Sequence, residues 1–183
     1  MVQVQSGILL ISDPFLKDPN FLRTVVLLCE HQTEGSLGFI LNRLFPQTIG
    51  DLISGLEECN FPVYYGGPVQ KDTIHFLHKR PDLIEEGIEI IDGIYWGGDF
   101  GEVVELIKEK KLLQNDIRFF LGYSGWGEQQ LENELKEKSW ITREAMRKLV
   151  FHKNTDAIWK DALIDLGGEY SQMTNYPIDP QLN

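Results

Sequence analysis

The stretch GYSGWG, residues 122–127, has the residue types of a turn that exposes a nucleophilic serine. A nucleophile elbow needs the pattern G-x-S-x-G on a tight strand-to-helix turn, so that the serine hydroxyl stands clear of the backbone. Gly122 and Ser124 fit this pattern, but Trp126 occupies the place of the last glycine, where two backbones must approach closely. The spacing therefore disfavours Ser124 as a nucleophile.

An anion site is a second function for the same stretch, which we expect to form a glycine turn between a strand and a helix. Free backbone N–H groups and the helix dipole at such a turn favour negative charge. Glu128, however, lies in the first turn of the predicted helix and would fill the same electrostatic role. The alternative is a plain helix start that Trp126 stabilises.

Arg23, Asn42 and Arg43 form another candidate site. Arg23 begins the second predicted strand and Asn42 with Arg43 ends the third, so an antiparallel hairpin would bring the three side chains to one edge. Two guanidinium groups at that edge could bind a carboxylate or a phosphate. The structural alternative is that they pair with carboxylates of the chain itself, namely Asp18, Glu30 or Asp51.

Cysteine and histidine residues lack the spacing of a metal site. Cys29 and His31 flank Glu30, and neighbouring strand residues point to opposite faces, as His75 and His78 also would. The sequence also lacks the glycine patterns of phosphate- and dinucleotide-binding loops. We therefore predict no metal and no cofactor, and two free thiols, Cys29 and Cys59.

Length and charge limit the class of protein. A chain of 183 residues suits one domain, and a net charge of −11 repels phosphodiester backbones, so nucleic-acid binding is disfavoured. The locally basic stretch TREAMRKLVFHK, residues 142–153, is then a solvated helix face more simply than a DNA-reading helix. No apolar run approaches the ~20 residues that span a bilayer, and residues 1–7 lack a secretory signal pattern. We expect a soluble cytoplasmic protein without a membrane partner.

Apolar runs bounded by Pro, Asp or Gly predict the strands that must position these residues. The predicted strands are residues 6–12, 24–31, 37–41, 63–65, 73–77, 88–91, 94–96 and 117–121. Gly38 inside the third strand predicts a bulge or a close backbone approach. Asp92 and Gly93 are typical of a two-residue hairpin turn, and Gly66–Pro68 of a tight turn.

Caps and 3.6-residue spacing predict the helices. Thr48 can begin a helix with apolar residues through Leu56, and Asp99 with Glu102 forms a capping-box pattern. Residues 129–138 and 154–166 are also predicted helices, the second stopped by two glycines. Residues 140–150 are ambiguous, because helix formers follow a β-branched start. Residues 168–183 predict a loosely attached tail.

Four segments, in this order, resemble the AlgH/YqgE family of bacterial proteins. They are DPNFLRTVVLLCEHQTEGSLGFILNR, YYGGPV, FLH and GYSGWGEQQLENEL, and the resemblance covers nearly all of residues 7–167. It implies an α+β fold, a single compact domain with a mixed, strongly curved, partly barrel-like β-sheet flanked by helices. It also implies that Trp140 begins a strand. One family member is described as a transcriptional regulator of alginate synthesis, and no enzymatic activity comes with the family name.

The family pattern carries over to individual positions. They are Asp18, Pro19, Phe21, Arg23, Cys29, Glu30, His31, Gly38, Asn42, Arg43, Gly66, Gly67, Pro68, His78, Gly122, Gly125, Trp126 and Leu131. The chain departs from the pattern at Leu44, where a proline often stands, in the helix after Trp126, and in its tail. A role that depends on the family's usual tail is therefore not expected here.

These observations predict a domain at residues 1–167, a tail at 168–183 and a binding surface on loops. We expect a cytosolic, non-enzymatic protein that binds a protein partner or a small anion, with a regulatory role by the family label. The surface would comprise Arg23, Asn42, Arg43, Gly66, Gly67, Ser124, Gly125 and Trp126.

Two other functions are weighed against this one. A hydrolase or transferase acting on an acyl or phosphoryl group would use Ser124 or Cys29 as nucleophile and His31 or His78 as base. It requires nucleophile and base within about 3 Å of each other. Direct DNA binding is opposed by the net charge.

Overall fold

Ten strands and six helices form within residues 3–178, which the computed structural model describes. The strands are β1 (Ile8–Ser12), β2 (Val25–Gln32), β3 (Gly35–Ile40), β4 (Leu44–Thr48), β5 (Pro62–Tyr65), β6 (Val69–His78), β7 (Ile88–Ile91), β8 (Ile94–Trp96), β9 (Ile117–Gly127) and β10 (Trp140–Glu144). The helices are α1 (Ile49–Leu52), α2 (Phe100–Lys108), α3 (Gln130–Lys136), α4 (Arg147–Val150), α5 (Ile158–Leu166) and α6 (Gly168–Met173). The strand implied at Trp140 is confirmed.

Strand β9 is the centre of the sheet. The strand order is β10-β1-β2-β3-β9-β6-β8-β7, and these neighbours are antiparallel. The first half of β9 also pairs with β5, which runs parallel to it and carries β4. The sheet is therefore mixed, as expected.

The sheet curls into a half-barrel. The backbone before β1 lies against β7, at the far end of the strand order, since a Cβ built on Gly7 would lie 3.1 Å from the Cβ of Ile91. Helix α4 bridges the remaining gap, because the guanidinium of Arg147 donates two hydrogen bonds to the carbonyl oxygen of Asp92. The expected curved, partly barrel-like α+β fold is confirmed.

Both faces of the sheet are buried, which explains the uninterrupted apolar runs in β1 and β2. The inner face packs against α4, α5 and α6, with Trp159 and Leu163 of α5 in this core. On the outer face, α3 covers β1 to β3, and α1 and α2 cover β5, β6 and β9. Function must therefore lie at the ends and margins of the sheet.

Most local signals are confirmed. The Asp99 side chain accepts a hydrogen bond from Glu102 N at 3.0 Å, as an N-cap does. A Cβ on Gly38 would lie 2.5 Å from the Leu27 carbonyl oxygen, so the predicted close approach is present. Helix α1 is shorter than predicted, because the chain leaves the helix after Leu52, ahead of a left-handed glycine at position 55.

The GYSGWG stretch is not a turn but the second half of β9. Its residues pair with β3, with Ser124 opposite Gly38 and Trp126 opposite Ser36. Gly122 has φ +66°, and a Cβ there would lie 2.7 Å from the Gly67 carbonyl oxygen. The glycines allow neighbouring backbones to approach closely within the sheet. A glycine-rich stretch is also typical of a turn, which is why the sequence predicted one here.

The prediction of a loosely attached tail from residue 168 does not describe its first part. Residues 168–173 form α6, and Tyr170 and Met173 pack against the inner core. The Tyr176 ring stacks on Phe15 with 5.3 Å between centroids. Residues 179–183 of the predicted tail lie outside the described residues.

Candidate functional site

Asn42 fixes the chain that leads into β2. Its Oδ1 accepts a hydrogen bond from Val25 N at 3.0 Å, and its Nδ2 donates one to the Arg23 carbonyl oxygen at 2.9 Å. An uncharged amide can accept and donate in this way at once. The structure thus brings together Arg23 and Asn42, and the neighbouring Arg43 donates to the Leu22 carbonyl oxygen at 2.5 Å.

Arg23 is held in an uncommon conformation. Its backbone is left-handed, with φ 50°, although only glycine adopts that region freely. Its guanidinium lies over the Trp159 ring, 4.8 Å from the centroid, and donates to the carbonyl oxygen of Tyr176. Its Nε is buried and has no hydrogen-bond partner among residues 3–178.

Neither Arg23 nor Arg43 uses the carboxylates proposed as their structural partners. Among residues 3–178, no carboxylate oxygen lies within 4 Å of either guanidinium. Asp51 instead bonds to Thr48, and Asp18 to the backbone of Asn20. Two cations therefore lie at this edge without a paired carboxylate in the part of the chain that the structure describes.

Phe15 completes this region, which we name the Arg23 corner: Phe15, Arg23, Arg43 and Trp159. Phe15 is half exposed and lies in the loop between β1 and β2. Trp159 is fixed by a 3.0 Å hydrogen bond from its indole N–H to the Ser12 carbonyl oxygen. The corner thus combines two aromatic surfaces with two guanidinium groups.

Gly66 and Gly67, in the connection between β5 and β6, and Ser124 on β9 lie beside the corner and are packed against the sheet. The Gly66 carbonyl oxygen accepts from Ile40 N at 2.9 Å and from the Ser124 hydroxyl at 3.0 Å. Gly66 thus lies where β3 and β5 meet alongside β9. A Cβ on Gly67 would lie 2.2 Å from the Tyr123 carbonyl, so these glycines allow a close crossing of strands.

Gly125 and Trp126 lie apart from the Arg23 corner. Gly125 lines a separate groove with Glu30 and Glu34. The Trp126 indole is buried under α3 and donates to Glu134 Oε2 at 2.9 Å; the Trp140 indole donates to the same oxygen at 2.8 Å. Of the eight predicted site residues, the structure joins Arg23, Asn42 and Arg43, places Gly66, Gly67 and Ser124 next to them, and leaves the last two elsewhere.

Comparison with known proteins decides the family. A model of the AlgH-like family matches residues 9–171. The chain belongs to the AlgH-like family. A UPF0301 protein of Chlorobium limicola is 45% identical over 181 residues, covering 99% of this chain and 97% of the relative. A UPF0301 protein of Cytophaga hutchinsonii is 44% identical over 180 residues, covering 97% and 98%.

Solved structures agree with this AlgH-like fold. The AlgH protein from Pseudomonas aeruginosa superposes with a TM-score of 0.73 at 26% identity, covering 97% of this chain and 98% of that one. A crystal structure of a protein from Corynebacterium diphtheriae gives a TM-score of 0.78 at 19% identity, covering 96% and 94%, and supports the fold alone.

The nucleophiles proposed for an AlgH-like hydrolase are unsuited to the task. Ser124 is fully buried, and its hydroxyl donates to a backbone carbonyl. Burial, and then the charge of Glu30, raises the pKa of the Cys29 thiol, which lies 3.7 Å from the Leu27 carbonyl oxygen. The His78 ring lies between the Gly97 carbonyl oxygen and Arg80 N, at 3.1 Å from each. None of these bonds joins a nucleophile to an imidazole.

One serine–histidine pair does form, and the sequence did not predict it. Ser36 Oγ lies 2.8 Å from His31 Nδ1, because the two residues are paired across β2 and β3. Glu132 Oε1 lies 3.7 Å from His31 Nε2, beyond hydrogen-bond length. A carboxylate at that distance does not fix the imidazole as a catalytic triad requires.

No helix within residues 3–178 of this AlgH-like chain is long and apolar enough to cross a membrane. In the same part of the chain, no three side chains of His, Cys, Asp or Glu are grouped to hold a metal ion. Both cysteines are free thiols.

Proposed function

We propose that this AlgH-like protein is a non-catalytic, cytosolic binding protein that takes a peptide segment of a protein partner at the Arg23 corner. One observation carries the proposal: the chain's own C-terminal segment docks there. Tyr176 offers its carbonyl oxygen to Arg23 and its ring to Phe15. Residues 174–178 thus act as an internal stand-in for a peptide ligand.

The chemistry of the corner favours a peptide over a small anion. Arg23 donates to the main-chain carbonyl of Tyr176, and the Tyr176 ring stacks on Phe15; a main-chain carbonyl with an aromatic side chain beside it is what a peptide offers. Arg43 adds a second positive charge; its guanidinium donates to the Leu22 carbonyl oxygen and has no carboxylate within 4 Å among residues 3–178. We therefore expect the partner segment to carry an aromatic residue and at least one carboxylate.

Displacement of the tail gives such binding a regulatory consequence. A segment tethered to its own site has an effective concentration in the millimolar range, so a partner must compete with it. Binding would release residues 174–178 from Phe15 and Arg23, so the C-terminal segment would be exposed only when the partner is bound. Direct contact with DNA stays disfavoured, because the chain carries a net charge of −11.

The test uses a fluorescent peptide with the sequence of residues 174–183, titrated into the full chain. We expect weak binding to the wild type and at least about tenfold tighter binding to Tyr176→Ala, whose own tail docks less well. Arg23→Gln in the Tyr176→Ala background should lose the gain, whereas the exposed Lys17→Gln, which removes an equal charge nearby, should keep it. Equal affinities with and without Arg23 would overturn the proposal.

A hydrolase is the second candidate, and it now depends on Ser36. The 2.8 Å contact with His31 is the observation that favours it. The long distance to Glu132 weighs against it, because the imidazole then lacks an acceptor that holds its tautomer.

A further inference from the structure

A separate group of cations lies where β6 ends and β9 begins. Arg118 on β9 is paired with Leu77 on β6, and Lys79 follows two residues later, so both side chains point to the inner face. Helix α4 approaches this point from inside. Arg147 is its first residue, and Phe151 follows its last residue as the C-cap, with Phe151 N donating to the Arg147 carbonyl oxygen at 2.9 Å.

Contacts with the residues that follow α4 place Lys79 and Arg118 close to each other. The Lys79 ammonium lies over the Phe151 ring, 4.7 Å from the centroid. Arg118 Nη2 donates to the carbonyl oxygen of the next residue, His152, at 2.5 Å. Arg147 begins α4; its charge acts on Lys79, while its guanidinium donates to the Asp92 carbonyl oxygen at 2.8 and 3.1 Å. We name these three residues, Lys79, Arg118 and Arg147, the cation trio.

Within the described residues, no member of the trio forms an ion pair. Among residues 3–178, no carboxylate oxygen lies within 4 Å of any of its three side chains. The carboxylate that does act on Lys79 belongs to Asp116, and it already bonds to Leu113 N and lies 3.6 Å from Arg80. Such a concentration of positive charge is unfavourable unless an anion joins it.

Arg118 is a buried cation, and its structural role does not explain why a charge is placed there. Its side chain is only 9% exposed, and its uncharged partners are the Tyr64 hydroxyl at 2.6 Å and the His152 carbonyl. Its Nε is buried without a hydrogen-bond partner in the described part of the chain. Burial lowers the pKa of Arg118. Burial also lowers the pKa of Lys79; the charge of Asp116 opposes this shift, and the charges of Arg147 and Arg118 add to it.

We propose that the cation trio binds a diphosphate-bearing small molecule. Lys79 is half-buried and Arg147 is exposed, so the trio opens to solvent on the side of α4. Lys79 can turn toward a multivalent phosphate, Arg147 supplies a second charge held in place by the Asp92 carbonyl oxygen, and the buried guanidinium of Arg118 supplies a third. This site is independent of the Arg23 corner.

Calorimetric titration of the full chain with inorganic pyrophosphate tests the proposal. We expect saturable binding that weakens about tenfold in Lys79→Gln and in Arg147→Gln, and that Lys79→Arg retains. The matched control is Lys136→Gln, an exposed lysine on α3, which should bind like the wild type. Absence of saturable binding, or equal weakening in the control, would overturn the proposal.

A parallel titration with ADP distinguishes the source of the diphosphate. Tighter binding of pyrophosphate than of ADP assigns the site to inorganic or small phosphate compounds. Tighter binding of ADP assigns it to nucleotides. Either result supports the proposal only if the Lys79→Gln variant loses affinity for the tighter ligand, and an unchanged affinity in that variant counts against it.

Discussion

The side-chain amide of Asn42 holds Arg23 just before β2, because its Nδ2 donates to the Arg23 carbonyl oxygen and its Oδ1 accepts from Val25 N, two residues further on. The bond from Asn42 to the Arg23 carbonyl oxygen holds the Arg23 backbone in its left-handed conformation. The guanidinium is thereby directed onto Trp159 and toward the C-terminal segment. Asn42 is therefore a positioning residue for the Arg23 corner.

Asn42→Ala should destabilise the protein by about 2 kcal/mol, because it removes two hydrogen bonds and leaves partly buried backbone groups without partners. The free energy of unfolding in urea measures this change. Asn115→Ala, at an exposed position, is the control and should have little effect. A loss no larger than in the control would mean that the amide does not hold β2.

Gly67→Ala should be among the most damaging single changes. Its φ is +156°, and the new methyl group would lie 2.2 Å from the Tyr123 carbonyl carbon, which is backbone and cannot yield. We expect a loss of about 4 kcal/mol or more, or an insoluble product. Gly127→Ala in the same strand neighbourhood has space for a methyl group and should fold normally. Comparable stability of the two variants would contradict the close crossing of strands.

His78 should make stability depend on pH. Burial lowers the pKa of His78, although the Gly97 carbonyl and Asp82 oppose the shift, so the folded protein favours the neutral ring. The unfolded chain then binds more protons below about pH 6.5, and stability falls as the pH drops from there toward the folded pKa. Burial lowers the pKa of His75 in the same direction.

His78→Asn should reduce this slope, because the amide does not titrate in that range. Unfolding free energies at about pH 7.5, 6.5 and 5.5 measure it. His75 should supply the slope that persists. A pH dependence of the unfolding free energy in His78→Asn equal to that of the wild type would contradict the role of His78.

Ser36 should not react with a fluorophosphonate probe. Its partner imidazole lacks a carboxylate within hydrogen-bond length, so no general base is held ready. Intact-protein mass spectrometry detects the adduct, with a known serine hydrolase as the positive control. Labelling of the wild type that disappears in Ser36→Ala would favour the hydrolase instead.

Local sequence patterns predicted much of the fold. The apolar runs of β1 and β2, the Asp92–Gly93 turn and the Asp99 cap were predictable because each depends on a few adjacent residues. The second half of β9 was not predictable, because its glycines are typical of a turn and its pairing with β3 is not visible in the local sequence. Strand β4 also lacked a signal, because Pro46 lies inside it.

The candidate site was predictable only in its near-neighbour part. Arg23 and Asn42 lie in one hairpin, so their convergence followed from strand pairing. The contact of Arg23 with Tyr176 joins residues 153 positions apart and has no local signature. Gly125 and Trp126 were predicted to belong to the site because they occur in the same glycine-rich stretch as Ser124. Their pairing with Leu37 and Ser36 of β3 places them away from the Arg23 corner.

Heteronuclear NMR of the full chain during addition of the residue 174–183 peptide tests the central claim most directly, because it locates the contact. The account predicts saturable shifts at the Trp159 indole N–H and at the backbone amides of Phe15 and Arg23, absent in Arg23→Gln. Shifts confined to the groove of Glu30 and Glu34, or no shifts at saturating peptide, would contradict it.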